Sequence, residues 1–213
     1  MKSPDEIIEE KNEVRVLMEM IKVQSMETYI HSLNVANLTY KMLEKIYCFT
    51  DEEKNEIITG ALLHDIGKLF VPFRLTEAPY RLSPEEFEIV KIHANVSYEI
   101  VKPIFSKIVC NVCLYHHERP NGEGYISNKR LADIPIEALI VQIADVYDAL
   151  TANRVYKKAY NPKKALQIMH GEAKDFKLDD GFLYILEDIL QKEGMQNGNE
   201  LSKQLSERQS SYA

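Results

Sequence analysis

The sequence contains little cysteine and no long apolar run, and each absence excludes a class of protein. Three cysteines among 213 residues are few and odd in number, so no disulfide framework is indicated and a reducing compartment is favoured. No apolar run approaches the roughly 18 residues that a membrane span requires. The N-terminus also lacks the basic and apolar segments of a secretory signal, and we therefore expect a soluble, cytoplasmic protein without a membrane span.

A surplus of positive charge is also missing. The 26 lysines and arginines are outnumbered by 33 aspartates and glutamates, which gives a formal net charge of -7 at pH 7. Because proteins bind nucleic-acid polymers largely through surface cations, this charge argues against such a partner. A small anionic ligand needs only a local basic clamp, and bound metal ions could supply most of that charge.

Strand-like alternation is scarce, whereas signals for helix starts recur along the chain. Three segments place a hydroxyl residue three positions before a glutamate, which is the capping-box pattern of a helix N-terminus. They are Ser3 with Glu6, Thr50 with Glu53, and Ser83 with Glu86. Apolar residues at three- and four-residue spacing follow these starts, as on the buried face of a helix. The pattern predicts an all-α fold, a bundle of about eight helices.

The chain shows no internal repeat and no change of composition that would mark a second domain. We expect an N-terminal helix over residues 1–26 and a single larger domain over residues 27–193. From residue 194 onward glycine, asparagine, serine and glutamine predominate, and these residues favour irregular structure. We therefore expect a polar, flexible tail over residues 194–213.

Five of the six histidines fall in one spaced series with two aspartates. The series consists of His31, His64, Asp65, His93, His116, His117 and Asp145. Imidazole and carboxylate groups bind borderline divalent metals and can activate a bound water. Glu27 lies four positions before His31, so both side chains would project from one helix face. A histidine on its own is more often a hydrogen-bonded core or surface residue, but the whole series indicates a metal-dependent hydrolase.

Three blocks of sequence around these residues resemble the HD superfamily of metal-dependent phosphohydrolases. The blocks are LLHDIGK at residues 62–68, YHHERPNGEGY at residues 115–125 and IADVYDALTANRVY at residues 143–156. The fuller pattern is similar to the HD-GYP subgroup, which consists of bacterial phosphodiesterases of cyclic di-GMP. The resemblance covers most of the chain and implies an HD-domain helical bundle.

The resemblance also implies which residues hold metal ions. The family's ligands match seven positions: His31, His64, Asp65, His93, His116, His117 and Asp145. Some members hold a third ion through a glutamate one helical turn earlier, and Glu27 occupies that position. The implied cofactors are two or three divalent ions, and nitrogen and oxygen ligands without thiolate suit iron or manganese. Affinity order alone does not decide between these two metals.

Further positions match residues of the family that act on the substrate. Asp65, which would be shared by two ions, and Lys68, which would contact the scissile phosphate, are the implied catalytic residues. The implied substrate-binding residues are Lys68, Tyr125, Arg154 and Lys157.

The sequence departs from the subgroup at Ile126, where the Gly-Tyr-Pro motif of the family has proline. Proline fixes its own backbone angle and restricts the preceding residue to an extended backbone. We therefore expect Tyr125 to be less preorganised here, and the substrate preference stays open.

The implied reaction is hydrolysis of cyclic di-GMP, a small anionic cyclic dinucleotide, to pGpG and further to GMP. A hydroxide between two ions bridged by Asp65 would be the nucleophile. One alternative is an HD phosphohydrolase that acts on another nucleotide, for example cyclic GMP-AMP. Another is a non-catalytic module that senses a cyclic dinucleotide or docks with a diguanylate cyclase domain. A diguanylate cyclase or sensory protein as partner, and a homodimer, are compatible with these readings.

Overall fold

The computed structural model describes residues 1–152 and 158–193. These residues contain ten α-helices and no β-strand, which confirms the predicted all-α fold. The helices are α1 (Pro4–Glu10), α2 (Asn12–Gln24), α3 (Met26–Glu44), α4 (Asp51–Leu63), α5 (Phe73–Thr76), α6 (Pro84–Val101), α7 (Lys107–Tyr115), α8 (Ile136–Thr151) and α9 (Pro162–Lys174), and α10, which covers 180–193. Two 3-10 helices cover Ile66–Phe70 and Leu131–Asp133. Eight of the ten α-helices are nine residues or longer, close to the predicted number.

All three predicted capping boxes begin helices of the structure. The hydroxyl groups of Ser3, Thr50 and Ser83 each accept a hydrogen bond from the backbone N–H three residues later. The glutamate of each box accepts in turn from the backbone N–H of the hydroxyl residue. Because these bonds satisfy N–H groups that have no partner inside the helix, the local sequence determines where α1, α4 and α6 begin.

The C-terminal half of helix α4 is buried, and the helix packs against both α3 and α7. Its apolar residues Ile57, Ala61 and Leu62 are fully buried. Gly60 allows the close approach of α7, because a Cβ at Gly60 would lie 2.8 Å from the Cβ of Val112. Burial of apolar surface is the main favourable term in folding, and here it fixes the positions of α4 and α7 relative to each other.

The structure has two helices, α1 and α2, before residue 26, where the sequence predicted one helix over residues 1–26. Lys11 has an extended backbone and separates α1 from α2. Ile7 of α1 and Val14 and Met18 of α2 are buried in the same core as the other helices. These residues thus pack on the rest of the described chain, and the domain boundary after them stays a prediction.

No helix of the described segments is both long enough and apolar enough to cross a membrane. The flexible tail that the sequence predicts over residues 194–213 lies outside the described residues.

We predict that Gly60→Ala destabilises the protein, although alanine is the better helix former. The added methyl group would meet Val112 in the core, and overpacking of this kind costs about 1–3 kcal/mol. This cost should exceed the gain in helix propensity, which is at most about 1 kcal/mol. Urea unfolding followed by circular dichroism measures the change in the free energy of unfolding.

Gly171 of α9 is the matched control, because a Cβ there would meet no described atom within 4 Å. Gly171→Ala should leave the stability unchanged or raise it by up to about 1 kcal/mol. If the two variants proved equally stable, the described packing of α4 on α7 would be wrong.

Candidate metal centre

The seven residues of the histidine–aspartate series come from five helices and meet in one cluster. His31 lies on α3, His93 on α6 and Asp145 on α8, His64 and Asp65 follow α4, and His116 and His117 follow α7. The ring centroids of His31 and His64 are 5.3 Å apart, and those of His64 and His116 are 5.0 Å apart. Apart from His117, every member is at most 8% exposed. The structure therefore gathers a set of residues that spans 115 positions of the sequence.

The turn after α4 brings Asp65 close to α6. Gly67 makes this approach possible, because a Cβ at this position would lie 2.0 Å from the backbone oxygen of His93. The backbone N–H of Gly67 also donates to Ser97 Oγ at 2.8 Å. As a result Asp65 Oδ1 lies 3.3 Å from His93 Nε2, although Asp65 follows α4 and His93 lies on α6.

The cluster contains two groups of ligand atoms that share Asp65. The His31 group consists of His31, His64 and Asp65, and the His93 group consists of Asp65, His93, His116 and His117. Within each group the ligand atoms lie within 4.8 Å of one another, close enough to hold one ion. Asp65 Oδ2 lies 3.4 Å from His64 Nε2 and 3.7 Å from His31 Nε2, whereas Oδ1 faces His93. One carboxylate thus presents a different oxygen to each group, as a ligand that bridges two ions would.

Asp145 lies beside both groups. Its Oδ1 is 3.1 Å from His31 Nε2, and its Oδ2 is 3.9 Å from His117 Nδ1. An ionised carboxylate in the apolar surroundings of α8 is costly to bury without a partner. Asp145 therefore adds an oxygen donor next to each group.

Burial prepares the imidazoles of His93 and His116 as neutral ligands. It lowers the pKa of His116 to about 3, with further lowering by the neighbouring His64 and His93, and it lowers the pKa of His93 as well. Both rings are therefore uncharged at neutral pH and retain a lone pair for a metal ion. Burial raises the pKa of Asp65, but the charges of Lys68 and His64 outweigh this effect and hold the pKa well below its usual value. The shared carboxylate is thus ionised.

The pKa of His31 is shifted in the opposite direction to the pKa values of His93 and His116. Burial lowers its pKa, but hydrogen bonds to Asp145 and Asp148 outweigh the burial and raise the pKa to about 9. A divalent cation at His31 would take the place of a proton, so binding there should release one.

Two buried polar atoms of the cluster have no hydrogen-bond partner within the described part of the chain. They are His64 Nε2, which belongs to the His31 group, and Asp65 Oδ1, which faces the His93 group. Leaving such atoms unsatisfied costs roughly 1–3 kcal/mol each, and more for a charged group. Coordination to metal ions would satisfy both atoms. The donor set therefore fits divalent cations.

Two of the predicted substrate-binding residues lie beside the cluster. Lys68 Nζ is 2.5 Å from Asp65 Oδ2, and a quarter of the lysine side chain is exposed. The ring of Tyr125 lies against His117, with ring centroids 4.7 Å apart. A small ligand at the cluster would thus have a cation and a phenol within reach.

The structure does not test the predicted roles of the other three site residues, Glu27, Arg154 and Lys157. Glu27 is half-buried on α3, one helical turn before His31, and it is a member of neither ligand group, so its role as a ligand stays a prediction. Arg154 and Lys157 lie outside the described residues.

Two residues that were not predicted, Glu118 and Gln142, hold the loop after α7. Glu118 is fully buried, and its carboxylate accepts from the backbone N–H of Ser127 at 2.5 Å and of Lys129 at 2.8 Å. Gln142 Nε2 donates to the backbone oxygens of His116 and Glu118. These bonds hold the loop that contains Ile126, the position at which the subgroup has proline. A signal existed in the sequence, because Glu118 directly follows the histidine pair.

Comparison with known proteins shows the family. Residues 15–181 match the HD domain family. The chain therefore belongs to the HD domain family, as its sequence predicts, and its relatives are consistent with the HD-GYP subgroup.

Two curated relatives illustrate the likeness. The chain is 37% identical over 153 residues to a cyclic di-GMP phosphodiesterase of Thermotoga maritima. The aligned region covers 70% of this chain and 40% of the relative. It is 31% identical over 174 residues to 3'3'-cGAMP-specific phosphodiesterase 1 of Vibrio cholerae. This aligned region covers 81% of this chain and 40% of the relative. The chain thus spans about 40% of the length of these proteins.

Solved structures show the same fold. The TM-score is 0.64 with Bd1817, an HDG"Y"P protein of Bdellovibrio bacteriovorus, at 24% identity over 76% of this chain and 51% of that one. It is 0.59 with the HD domain of the L. monocytogenes phosphodiesterase PgpH, at 21% identity over 84% of this chain and 98% of that one.

We predict that divalent metal ions stabilise the folded protein through this cluster. A ligand that binds only the folded state adds RT ln(1 + [L]/Kd) to the free energy of unfolding, about 2.7 kcal/mol at 100 times the Kd. Adding Mn²⁺ to chelator-treated protein should therefore raise the melting temperature in differential scanning calorimetry. His64→Ala should reduce this increase, because it removes one donor of the His31 group.

His170→Ala is the control for this measurement. His170 lies outside the cluster, where its Nε2 is 3.0 Å from Glu187 Oε2. This variant should respond to Mn²⁺ as the wild type does. An undiminished response of His64→Ala would mean that the ions bind elsewhere.

Proposed function

We propose that this chain is a metal-dependent phosphodiesterase that hydrolyses a cyclic dinucleotide. Cyclic di-GMP is the first candidate substrate, with pGpG as product and GMP as a further product. The observation that carries the proposal is the Asp65 carboxylate, which offers one oxygen to each of two ligand groups. A relative named as a cyclic di-GMP phosphodiesterase matches 70% of the chain and supports the substrate class.

Hydrolysis of a phosphodiester requires a nucleophile and neutralisation of the charge that builds on the phosphoryl oxygens. Divalent ions, when bound, lower the pKa of water so that a nucleophile exists at neutral pH. Lys68 lies at the edge of the cluster, and its ammonium group can donate to a phosphoryl oxygen. Because this side chain is partly exposed, it can reach a substrate that enters from solvent.

Tyr125 closes part of the cluster, because its ring covers His117. Burial raises the pKa of its hydroxyl group well above the usual value, so the phenol stays protonated at neutral pH. It can therefore donate a hydrogen bond to an anionic substrate. Arg154 and Lys157 complete the proposed phosphate clamp on the strength of the family resemblance.

Cyclic GMP-AMP is the second candidate substrate. Ile126 replaces the proline of the subgroup, and a relative named as specific for 3'3'-cGAMP matches 81% of the chain. A purely sensing or docking module is the weaker alternative, because docking alone has no chemical need for a set of seven metal donors, six of them buried.

The finer features of the proposal follow from the donor types and the resemblance. Iron or manganese are the proposed metals, because the cluster offers nitrogen and oxygen donors without thiolate. A third ion at Glu27, a cytoplasmic location, a diguanylate cyclase or sensory partner and a homodimer stay predictions.

Product analysis with a panel of nucleotides tests the proposal. Protein prepared without oxygen and loaded with Mn²⁺ or Fe²⁺ should convert cyclic di-GMP to pGpG, as measured by liquid chromatography. Asp65→Asn removes charge from both ligand groups, so both ions should be lost and turnover should fall by about 10²-fold or more. His170→Ala should retain the wild-type rate.

Faster turnover of cyclic GMP-AMP would replace the first candidate substrate with the second. Loaded wild-type protein that leaves cyclic di-GMP, cyclic GMP-AMP and cyclic di-AMP all intact would refute the proposed activity.

A further inference from the structure

His31 differs from His64, His93 and His116 in the partner of its second ring nitrogen. The Nδ1 atoms of His64, His93 and His116 each donate to a backbone oxygen of the helix that they belong to or follow, at 2.7 Å to 3.1 Å. Nδ1 of His31 instead lies 2.6 Å from a carboxylate oxygen of Asp148, on the separate helix α8. His31 is thus joined to a charged group, whereas these three rings are joined to neutral carbonyls.

Asp148 is itself firmly held. It is 6% exposed, and its second oxygen accepts from Asn34 Nδ2 at 2.9 Å. Asn34 and His31 are three residues apart on α3, so one carboxylate of α8 accepts from two neighbouring side chains of α3. The His31 ring is therefore fixed with Nε2 turned toward Asp145 and Asp65.

A carboxylate partner changes a histidine as a metal ligand in two ways. It fixes the tautomer and the ring orientation, and it makes the coordinating nitrogen more basic. Hydrogen bonds to an ionised acceptor are also roughly twice as strong as bonds between neutral groups. Changing such a partner typically alters metal affinity by about 10–100-fold.

We propose that Asp148 is the positioning residue of the His31 group, and that it controls the affinity of the ion held there without affecting the ion of the His93 group. The inference rests on the metal site of the proposed function and deepens it. Because the two groups are supported differently, the two ions bind as separable events.

Titration of the chelator-treated full chain with Mn²⁺ tests this inference. Isothermal titration calorimetry resolves the binding steps, and electron paramagnetic resonance distinguishes a coupled pair of ions from an isolated ion. Asp148→Asn preserves the shape of the side chain and removes its charge. It should weaken one binding step by about 10–100-fold, leave the other unchanged, and convert the coupled spectrum to that of an isolated ion at intermediate Mn²⁺.

Glu137→Gln is the matched control. Like Asp148, Glu137 is a buried carboxylate of α8 that accepts from an asparagine of a neighbouring helix, Asn111 Nδ2 at 2.7 Å. Its partner lies on α7 outside the cluster, so this variant should keep both binding steps.

Asn34→Ala is the second variant, and it serves if Asp148→Asn does not fold. It removes one donor to the carboxylate and should weaken the same step to a smaller extent. Equal weakening of both steps, or no change in either, would overturn the inference, and wild-type protein that binds no ion would overturn it together with the proposed function. Wild-type protein that binds two ions without hydrolysing a cyclic dinucleotide would contradict the proposed function alone.

Discussion

The buried carboxylate of Asp65 is the interaction on which the rest of the site depends. Asp65 is only 2% exposed. The cost of removing an ionised group from water must be offset by nearby opposite charge or by hydrogen bonds. Lys68 compensates Oδ2 from the edge of the cluster, while Oδ1 has no hydrogen-bond partner among the described residues. Two of the surrounding imidazoles, those of His93 and His116, offer it no positive charge, because burial holds their pKa below the usual value. A cation in each of the two ligand groups would offset the remaining negative charge of the Asp65 carboxylate.

The helix arrangement favours cations at the same place. Helices α4 and α7 end at the cluster, with His64 and His116 at their C-caps. The C-terminal end of a helix carries partial negative charge, so two such ends near one point stabilise positive charge there. Gly60 allows α4 to lie close to α7 at Val112, and Gly67 allows the following turn to approach α6. Two glycines thus permit the close packing that brings the donors together.

Much of this could be predicted from sequence because the signals are local. A capping box determines a helix start within four residues. The ability of histidine and aspartate to bind a metal ion is a property of the side chain and can be recognised from the residue type alone. The contacts that divide the cluster into two groups depend on the packing of helices, which the sequence pattern does not show. Asp148 illustrates the difference, because it lies 117 positions from its partner His31. Its spacing of three from Asp145 was a signal, but only the packing of α3 on α8 shows what the carboxylate contacts.

The most direct test of the central claim is anomalous diffraction from crystals of the full chain grown with Mn²⁺ or Fe²⁺. Two anomalous peaks roughly 3.5–4 Å apart are expected, as in other two-metal sites. One peak should lie among the donors of the His31 group and the other among those of the His93 group, each bound to a different oxygen of Asp65. A single peak, or two peaks that do not share Asp65, would contradict the account.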